Sequence, residues 1–362
     1  MMESGSAFAE SSAPETLAPP KAHAPSEDAA RLMRDVQTQV RDLLRPNVRL
    51  FWTDLLLTSA VLYTSLAVYF AAANFSLAQA AALVVCALAM YRSAIFTHEI
   101  AHRPAGSFVA FTVAWNLLGG IPMFMPSFLY GDHKGHHTNH AYGTHDDPEY
   151  LFLAHGRHMA VIFLLLAVVY PVFGFLRFLV LTPLALVFRP IDRLVWRFTS
   201  SLYVMNMWYR RPYDAAARSA VRWSQELACS AIAWTIVALL CTHVIAWQGV
   251  LKAYLVMFLW IAMNQVRTLA AHRYANDGVP MTYVNQLLDT NTFDRGWVAE
   301  LWAPLGLRYH ALHHLVPSLP YHAMGEAHRR LMRHLPDASP YRETVQPGLV
   351  PVVARMVMKP LK

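Results

Sequence analysis

Nine histidines of this chain stand at spacings that suit metal binding. Eight of them form three short clusters, His98-Glu-Ile-Ala-His102, His133-Lys-Gly-His136-His137 and His310-Ala-Leu-His313-His314. Because the histidines recur at three or four residues, on a helix their imidazoles would share one face and converge on one point. The ninth, His272, follows the apolar run 254–271. Nine ligands exceed the needs of one four-coordinate zinc and fit two ions with five or six ligands each. Imidazole suits iron, copper, nickel and zinc alike, so the spacing predicts a two-metal site without naming the metal.

The composition is that of an integral membrane protein. Hydrophobic residues make up 56% of the 362 residues and charged residues only 15%, which is unusual for a soluble domain. The net charge of +7 comes with arginines that flank the apolar runs. Anionic lipid headgroups would lie there, so we expect no nucleic-acid partner. The three cysteines fall inside apolar runs and are expected to be small buried residues without disulfides.

Five apolar stretches need a place in the membrane, at about 50–72, 76–96, 108–127, 159–188 and 228–270. The first two can each span a bilayer, and the last is long enough for two helices that turn at Trp247-Gln-Gly249. Gly and Pro residues interrupt 108–127 and 159–188, which predicts interfacial or re-entrant segments. The predicted fold is therefore all-α and membrane-integral, with about four transmembrane helices in two hairpins. A His-rich metal-binding cap would cover one end.

The arginines predict which side of the membrane carries this cap. Seven arginines lie between positions 189 and 222, whereas the links at 73–77 and 247–249 contain no Lys or Arg. The positive-inside rule then places the arginine-rich segment in the cytoplasm and both links outside. Under this count the N-terminus, the C-terminus and all nine histidines reach the cytoplasmic side of a multi-pass protein.

The chain divides into three regions by composition. Residues 1–48 begin with an Ala/Ser/Pro/Glu-rich stretch, predicted to be disordered, and continue with Asp28–Arg45, whose pattern indicates a surface helix. Residues 49–335 hold the apolar stretches and the nine histidines, and residues 336–362 are expected to form a C-terminal tail.

Individual motifs leave other functions open. His98-Glu-Ile-Ala-His102 also matches the HExxH pattern of zinc proteases, in which the glutamate is the general base. An intramembrane zinc protease would need one metal, and a metal-transport protein would need polar ligands inside its spans. His140, His145, His155 and His158 lie in a polar stretch and are not expected to be ligands. The acids that could fix a ligand ring by accepting its second N–H are Glu99, Asp132, Asp146, Asp147 and Asp277.

Together the motifs HEIAH, HKGHH and HALHH on a four-crossing frame resemble the membrane fatty acid desaturase and hydroxylase superfamily. The stretches Thr144-His-Asp-Asp-Pro-Glu-Tyr150 and His313-His-Leu-Val-Pro-Ser-Leu-Pro-Tyr-His322 look like segments that accompany the second and third histidine boxes of acyl desaturases. The resemblance covers about residues 50–335.

The resemblance implies a non-haem di-iron centre that uses dioxygen (O2) to attack an unactivated C–H bond of a lipid chain. By analogy the iron ligands are His98, His102, His133, His136, His137, His272, His310, His313 and His314. Relatives with an extra ligand histidine carry an asparagine one helical turn earlier, where this chain has Thr268. The third box begins with His310 rather than glutamine and no fused haem domain is evident. Both features favour a separate electron donor of ferredoxin or cytochrome type.

The sequence therefore predicts a membrane oxidoreductase, with oxygen-dependent desaturation of a fatty acyl chain as the main interpretation. A hydroxylase or ketolase that uses the same centre on a lipid or alkane is the alternative. The embedded segments 108–127 and 159–188 are candidates to line the channel for the substrate chain.

Overall fold

The structure is a computed structural model that describes residues 27–104, 106–151, 153, 157–201, 206 and 208–358. The predicted disorder of the first residues lies outside this part of the chain. Helices and their connections make up the described residues, which contain no β-strand. The helices are α1 Glu27–Val40, α2 Val48–Ala71, α3 Leu77–His102, α4 Val109–Trp115, α5 His133–His136, α6 Arg157–Leu176, α7 Thr182–Val187, α8 Arg189–Thr199, α9 Ala220–Cys241, α10 Trp247–Ala271, α11 Tyr283–Leu288, α12 Ala299–Trp302, α13 His310–Leu315, α14 Tyr321–His334, α15 Pro340–Glu343 and α16 Leu349–Met358.

Within the described residues, five segments are long and apolar enough to cross a membrane. They are Val48–Ala71, Leu77–His102, His158–Val187, Ala220–Cys241 and Trp247–Ala271. Apolar side chains on their outer faces are largely exposed: the values are 61% for Leu57 on α2 and 62% for Leu165 on α6. Exposed apolar faces of this extent indicate contact with lipid, and the chain is an integral membrane protein with an all-helical fold.

The segment around 159–188 is more regular than the sequence predicted. The helix continues through Pro171 and loosens only at Arg177–Leu181, where one wide π-type turn joins α6 to α7. Polar contacts hold this turn: both carboxylate oxygens of Glu226 on α9 accept hydrogen bonds from the Arg177 guanidinium. By contrast 108–127 is broken as expected, with α4 followed by a second π-type turn at Asn116–Gly120.

The two predicted hairpins differ in how closely their two helices pack against each other. Helices α2 and α3 pack along each other, and Ser76 caps α3 by accepting a hydrogen bond from the Gln79 amide at 3.1 Å. Helix α10 packs instead against α3 and α6, while α9 packs against α7 and the turn at Arg177–Leu181. The second hairpin is therefore splayed by the segment 158–187, and α10 approaches α3 so that His272 comes near the first histidine box.

Both ends of the described part of the chain fold onto the histidine-bearing region. Leu32, Val36 and Val40 of α1 are buried in one cluster with α13 and α14. Beyond residue 335, where the sequence predicted a tail, α16 packs against α6 and α10. The backbone of Thr292 also pairs with residues Thr344 and Gln346, at 2.8 Å in both hydrogen bonds. These contacts brace the third histidine box and the connection after α10 from behind.

Candidate metal centre

The first histidine box is the last turn of a spanning helix. Helix α3 runs without a break from Leu77 to His102, so His98 and His102 lie one turn apart with ring centroids separated by 5.0 Å. The helix ends at Arg103, whose extended backbone leaves the helical path. A long apolar helix thus carries two imidazoles to its polar end.

The second and third boxes lie on short helices. His133 and His136 open and close the single turn α5, and His137 follows directly. His310, His313 and His314 share α13, whose remaining residues are buried against α1 and α14. The apolar packing behind α13 turns its three imidazoles toward the other boxes.

His272 stands just beyond α10 on extended backbone. Its two neighbours pair with the segment after α11: the Arg273 amide donates to the Asp289 carbonyl at 2.6 Å, and the Asn291 amide donates to the Ala271 carbonyl at 2.9 Å. This short bridge fixes the direction of the His272 side chain, which is 3% exposed.

The nine predicted ligands form two groups, and within each group the nitrogen atoms lie within 4.8 Å of one another. We call the first the five-histidine group and the second the four-histidine group. The five-histidine group is His98, His102, His133, His137 and His313. The four-histidine group is His136, His272, His310 and His314. Both groups draw on separate boxes, so neither can form before the chain has folded.

Distances between Nε2 atoms fit metal coordination. They are 3.2 Å for His133–His137, 3.1 Å for His137–His313, 3.2 Å for His136–His272, 2.8 Å for His272–His310 and 3.2 Å for His310–His314. Bonds of about 2.1 Å to one ion place neighbouring corners of an octahedron about 3 Å apart. In the described part of the chain, Nε2 of His98 and of His102 are buried without any hydrogen-bond partner. The donor set therefore fits two metal ions.

Carboxylates that contact Nδ1 of His133 and of His136 determine which ring nitrogen of each histidine carries the proton. Glu149 accepts a hydrogen bond from Nδ1 of His133, and both carboxylate oxygens of Asp147 lie 2.9 Å from Nδ1 of His136. With the proton on Nδ1, each Nε2 presents a lone pair to its group. This arrangement favours metal binding over hydrogen bonding between rings.

His272 is oriented through a tyrosine instead. The Tyr142 hydroxyl lies 2.8 Å from Nδ1 of His272 and donates to Asp289 at 2.9 Å. Because the tyrosine proton goes to the carboxylate, the hydroxyl oxygen accepts from the ring N–H. Tyr150 donates to the same Asp289 oxygen at 2.9 Å. The lone pairs of His136 and His272 then face each other, which is favourable with a cation between them.

The acids predicted as ring partners prove partly right. Asp147 holds His136, whereas Asp132 binds Arg211 and the Tyr209 hydroxyl. Glu99 accepts from Arg103 and from the Tyr321 amide, at 3.4 Å in each case. Glu149 and Asp289 were not among the expected partners. Glu149 had a visible signal, because it is an acid two residues after Asp147, within the stretch Thr144–Tyr150 already singled out in the sequence.

Burial keeps most of the histidines neutral. It lowers the pKa of His137 well below the ordinary value, and His314 and His313 lower it further. Burial is also the first cause that lowers the pKa of His272, His310, His313 and His314. For His136, burial lowers the pKa, but the carboxylates of Asp147, Glu149 and Asp289 together outweigh it, so the pKa ends above the ordinary value. Neutral imidazole is the metal-binding form, and a carboxylate partner makes the ring a stronger ligand.

Residues expected to stay outside the site do so where the structure describes them. His140 and His145 are exposed and belong to neither group, and the side chain of His158 is exposed on α6. His155 lies outside the described residues. Thr268, at the position where relatives carry asparagine, is buried, and its carbonyl accepts from the Tyr274 hydroxyl at 2.9 Å.

An apolar cavity of about 210 Å³ lies against the five-histidine group. His98, Tyr130 and Glu149 form its wall beside the metal site, and Met123, Phe124 and Phe173 are among its apolar wall residues. Both segments predicted to line a substrate channel contribute, the first through Met123–Met125 and the second through Phe163 and Phe173. A hydrocarbon chain in this cavity would reach His98.

The geometry disfavours the two other classes of function. Two separate groups of histidines exceed the single zinc of a protease, and Glu99 is engaged with Arg103 and Tyr321 rather than free to activate water. A transporter would hold its ligands inside the spans, whereas these histidines lie at or beyond the helix ends.

Comparison with known proteins agrees with the resemblance to the membrane desaturase and hydroxylase superfamily. A family model described as "Fatty acid desaturase" matches residues 74–345, the part that carries all nine histidines. The chain belongs to this family. A curated member, the ceramide hydroxylase of Caulobacter vibrioides (strain NA1000 / CB15N), is 36% identical over 321 residues, which cover 88% of this chain and 91% of the relative. No solved structure matches the chain. The protein is thus a membrane oxidoreductase of lipid metabolism.

Proposed function

We propose that the protein hydroxylates an amide-linked lipid of the ceramide class at two iron ions held by the five-histidine and four-histidine groups. The observation that carries the proposal is the convergence of nine histidines from separate elements beside an apolar cavity. The substrate class follows from the ceramide hydroxylase, to which the chain is 36% identical over nearly its full length.

Hydroxylation is better supported than the desaturation that was the main interpretation of the sequence. Both reactions begin with removal of hydrogen from a methylene group, and they diverge in whether oxygen or a second hydrogen is then transferred. Small differences in the position of the substrate decide that outcome. The histidine boxes do not distinguish the two, whereas the relative at 36% identity is a hydroxylase.

The residues around the site have three tasks in this reaction. Asp147, Glu149 and Tyr142 hold three of the imidazoles with their Nε2 lone pairs directed into the two histidine groups, which would hold the ions. The apolar wall would align the substrate chain with His98, and the burial of the histidines keeps bulk water from the reacting carbon. When bound, the two irons would supply the oxidising power that no side chain has.

The overall reaction also needs electrons from outside the chain. One oxygen atom of O2 enters the C–H bond, and the other leaves as water after uptake of two electrons and two protons. We propose an external donor of ferredoxin or cytochrome type. We further propose that the histidine groups and both termini face the cytoplasm, which the seven arginines between positions 189 and 222 support.

Expression in a host that makes ceramides but does not hydroxylate them tests the proposal. With a competent electron donor, mass spectrometry should show ceramides heavier by one oxygen atom, and His313→Ala should abolish them. His140→Ala is the matched control, because His140 is exposed and outside both groups. New double bonds without added oxygen would restore the desaturase interpretation.

A further inference from the structure

Gln265 is a polar side chain in the apolar helix α10. It is 3% exposed. Among the described residues no donor or acceptor reaches its Nε2 or Oε1, although both atoms are buried. Buried amide groups nearly always have hydrogen-bond partners. A glutamine kept unpaired inside a spanning helix therefore indicates a partner that arrives with a ligand.

The position of Gln265 ties it to the metal centre. It lines the same cavity as His98, and on α10 it shares one face with Ile261 and Thr268. His272, a member of the four-histidine group, follows seven residues later. Seven residues are two helical turns, or about 10 Å along the helix axis. Gln265 thus lies within a short length of lipid chain of His272 in the four-histidine group.

The cavity wall around Gln265 is mostly apolar. Its apolar residues include Met257 and Trp260 on α10 itself and Ile95 on the neighbouring helix α3. Arg267 is a second polar contribution: one of its terminal nitrogens donates to Asn264 at 2.9 Å, while its Nε has no partner within the part of the chain that the structure describes. Gln265 and Arg267, both in the cavity wall, thus carry polar atoms without a partner among the described residues, and the wall also contains other polar side chains such as Thr97, Tyr130 and Ser201.

We propose that Gln265 accepts a hydrogen bond from the amide N–H of the bound lipid and so selects amide-linked lipids over ester-linked ones. The inference rests on the proposed function and adds a residue that determines specificity. The side-chain oxygen of glutamine is an acceptor, which suits the N–H that an amide-linked lipid has and an ester-linked lipid lacks. A site built to hydrogen-bond a substrate N–H or O–H rejects analogues that lack it, because its polar atoms stay unpaired.

Binding measurements can test this independently of turnover. Trp260 lines the cavity, so lipids with brominated chains should quench its fluorescence, and Trp260→Phe identifies the part of the signal that comes from it. The two probes are a brominated ceramide and a brominated diacylglycerol with matched chains, added to the purified iron-loaded protein. Gln265→Met is compared with Gln248→Met, an exposed glutamine at the start of the same helix.

We expect the wild type to bind the ceramide more tightly than the diacylglycerol. Gln265→Met should weaken ceramide binding at least about tenfold and leave diacylglycerol binding unchanged, because only the ceramide has lost a hydrogen bond. The same variant should raise the melting temperature of the lipid-free protein, since it removes an unpaired buried amide. Gln248→Met should change neither quantity.

Several results would overturn the inference. Equal affinity of the wild type for both lipids would do so, as would an equal loss of both in Gln265→Met. Loss of iron or a lower melting temperature in Gln265→Met would assign the amide a structural role. If the binding preference appears as expected but no hydroxylated product forms, the inference stands and the proposed reaction fails.

Discussion

Asp147 faces the ring of His136 with both carboxylate oxygens 2.9 Å from Nδ1. The carboxylate is itself held by the backbone, since it accepts from the Gly143 amide at 2.8 Å and from the Glu149 amide at 2.9 Å. The loop after the second histidine box therefore positions a ring of the four-histidine group. It also places Glu149 against His133 of the five-histidine group, so one loop supports both groups.

Replacement of this carboxylate should weaken one metal site. The purified wild type should carry about two irons per chain, the number that two histidine groups would hold. Asp147→Asn removes the charge and one acceptor, and iron affinity in the four-histidine group should fall about 10- to 100-fold. Iron content after treatment with a chelator measures the effect. Asp146→Asn is the control, because Asp146 is exposed. Equal loss in both variants would contradict the role of Asp147.

Glu226 should be essential for stability rather than for chemistry. It accepts from Arg177, from Arg222 at 3.1 Å and from Thr182 at 2.6 Å, and its side chain is 1% exposed. Glu226→Gln leaves two buried guanidinium groups without full compensation and should lower the free energy of unfolding by about 3–5 kcal/mol. Unfolding in mixed detergent micelles measures this loss.

The control for that variant is Glu326→Gln, which removes an exposed carboxylate paired with Arg329 and Arg330. Solvent screens that pair, so its loss should hardly change stability. A similar small effect at Glu226 would show that the buried network is not needed to hold the wide turn at Arg177–Leu181.

A larger side chain at Gly174 should block the cavity. This residue lines the cavity, and an added Cβ would meet only the Phe124 Cβ, at 3.9 Å. Gly174→Leu should therefore fold and retain its iron, while the new side chain fills space needed by the substrate and lowers lipid turnover about tenfold or more. Gly249→Leu is the control on α10, since its nearest atom is Phe70 Cε1 at 3.8 Å and it does not line the cavity. Unchanged turnover in Gly174→Leu would exclude this cavity as the substrate site.

Cysteine labelling in intact cells tests the proposed sidedness. Cys86 and Cys229 are buried and Cys241 is exposed, so Cys241→Ser provides a background without an accessible thiol among the three. In this background Asn74→Cys and Gln248→Cys should react with an impermeant reagent from outside. Ala215→Cys, exposed beside the arginine-rich segment, should react only after the cells are opened. The reverse pattern would place the histidine groups on the opposite side.

The proximity of the nine histidines was predictable from sequence because the information for it is local. Spacings of three and four residues gave one face on α3 and on α13, and the apolar length of α10 placed His272 at its end. The division into groups of five and four histidines depends on how α5 meets α3 and α13 across the fold, which no spacing encodes. His136 and His137 are adjacent in sequence and yet join different groups.

Hydrogen bonds between residues that are far apart in the chain could likewise not be predicted from the sequence. Asp289 reaches Tyr142 across 147 positions, and only the short pairing of residues 271–273 with 289–291 brings them together. The continuity of the helix through Pro171 was also missed, because the sequence pattern shows a helix breaker there but not the contacts of Arg177 that hold the following turn. Gln265 had no signal in a single sequence beyond its polarity in an apolar run.

Isotope labelling of the product tests the central claim most directly. Purified iron-loaded protein, supplied with ceramide, an electron donor and ¹⁸O₂, should form a hydroxylated ceramide that carries one ¹⁸O atom. Asp147→Asn should form less of it, whereas Asp146→Asn should match the wild type. An unsaturated product without ¹⁸O, or a hydroxyl group whose oxygen comes from water, would contradict hydroxylation by dioxygen at this centre.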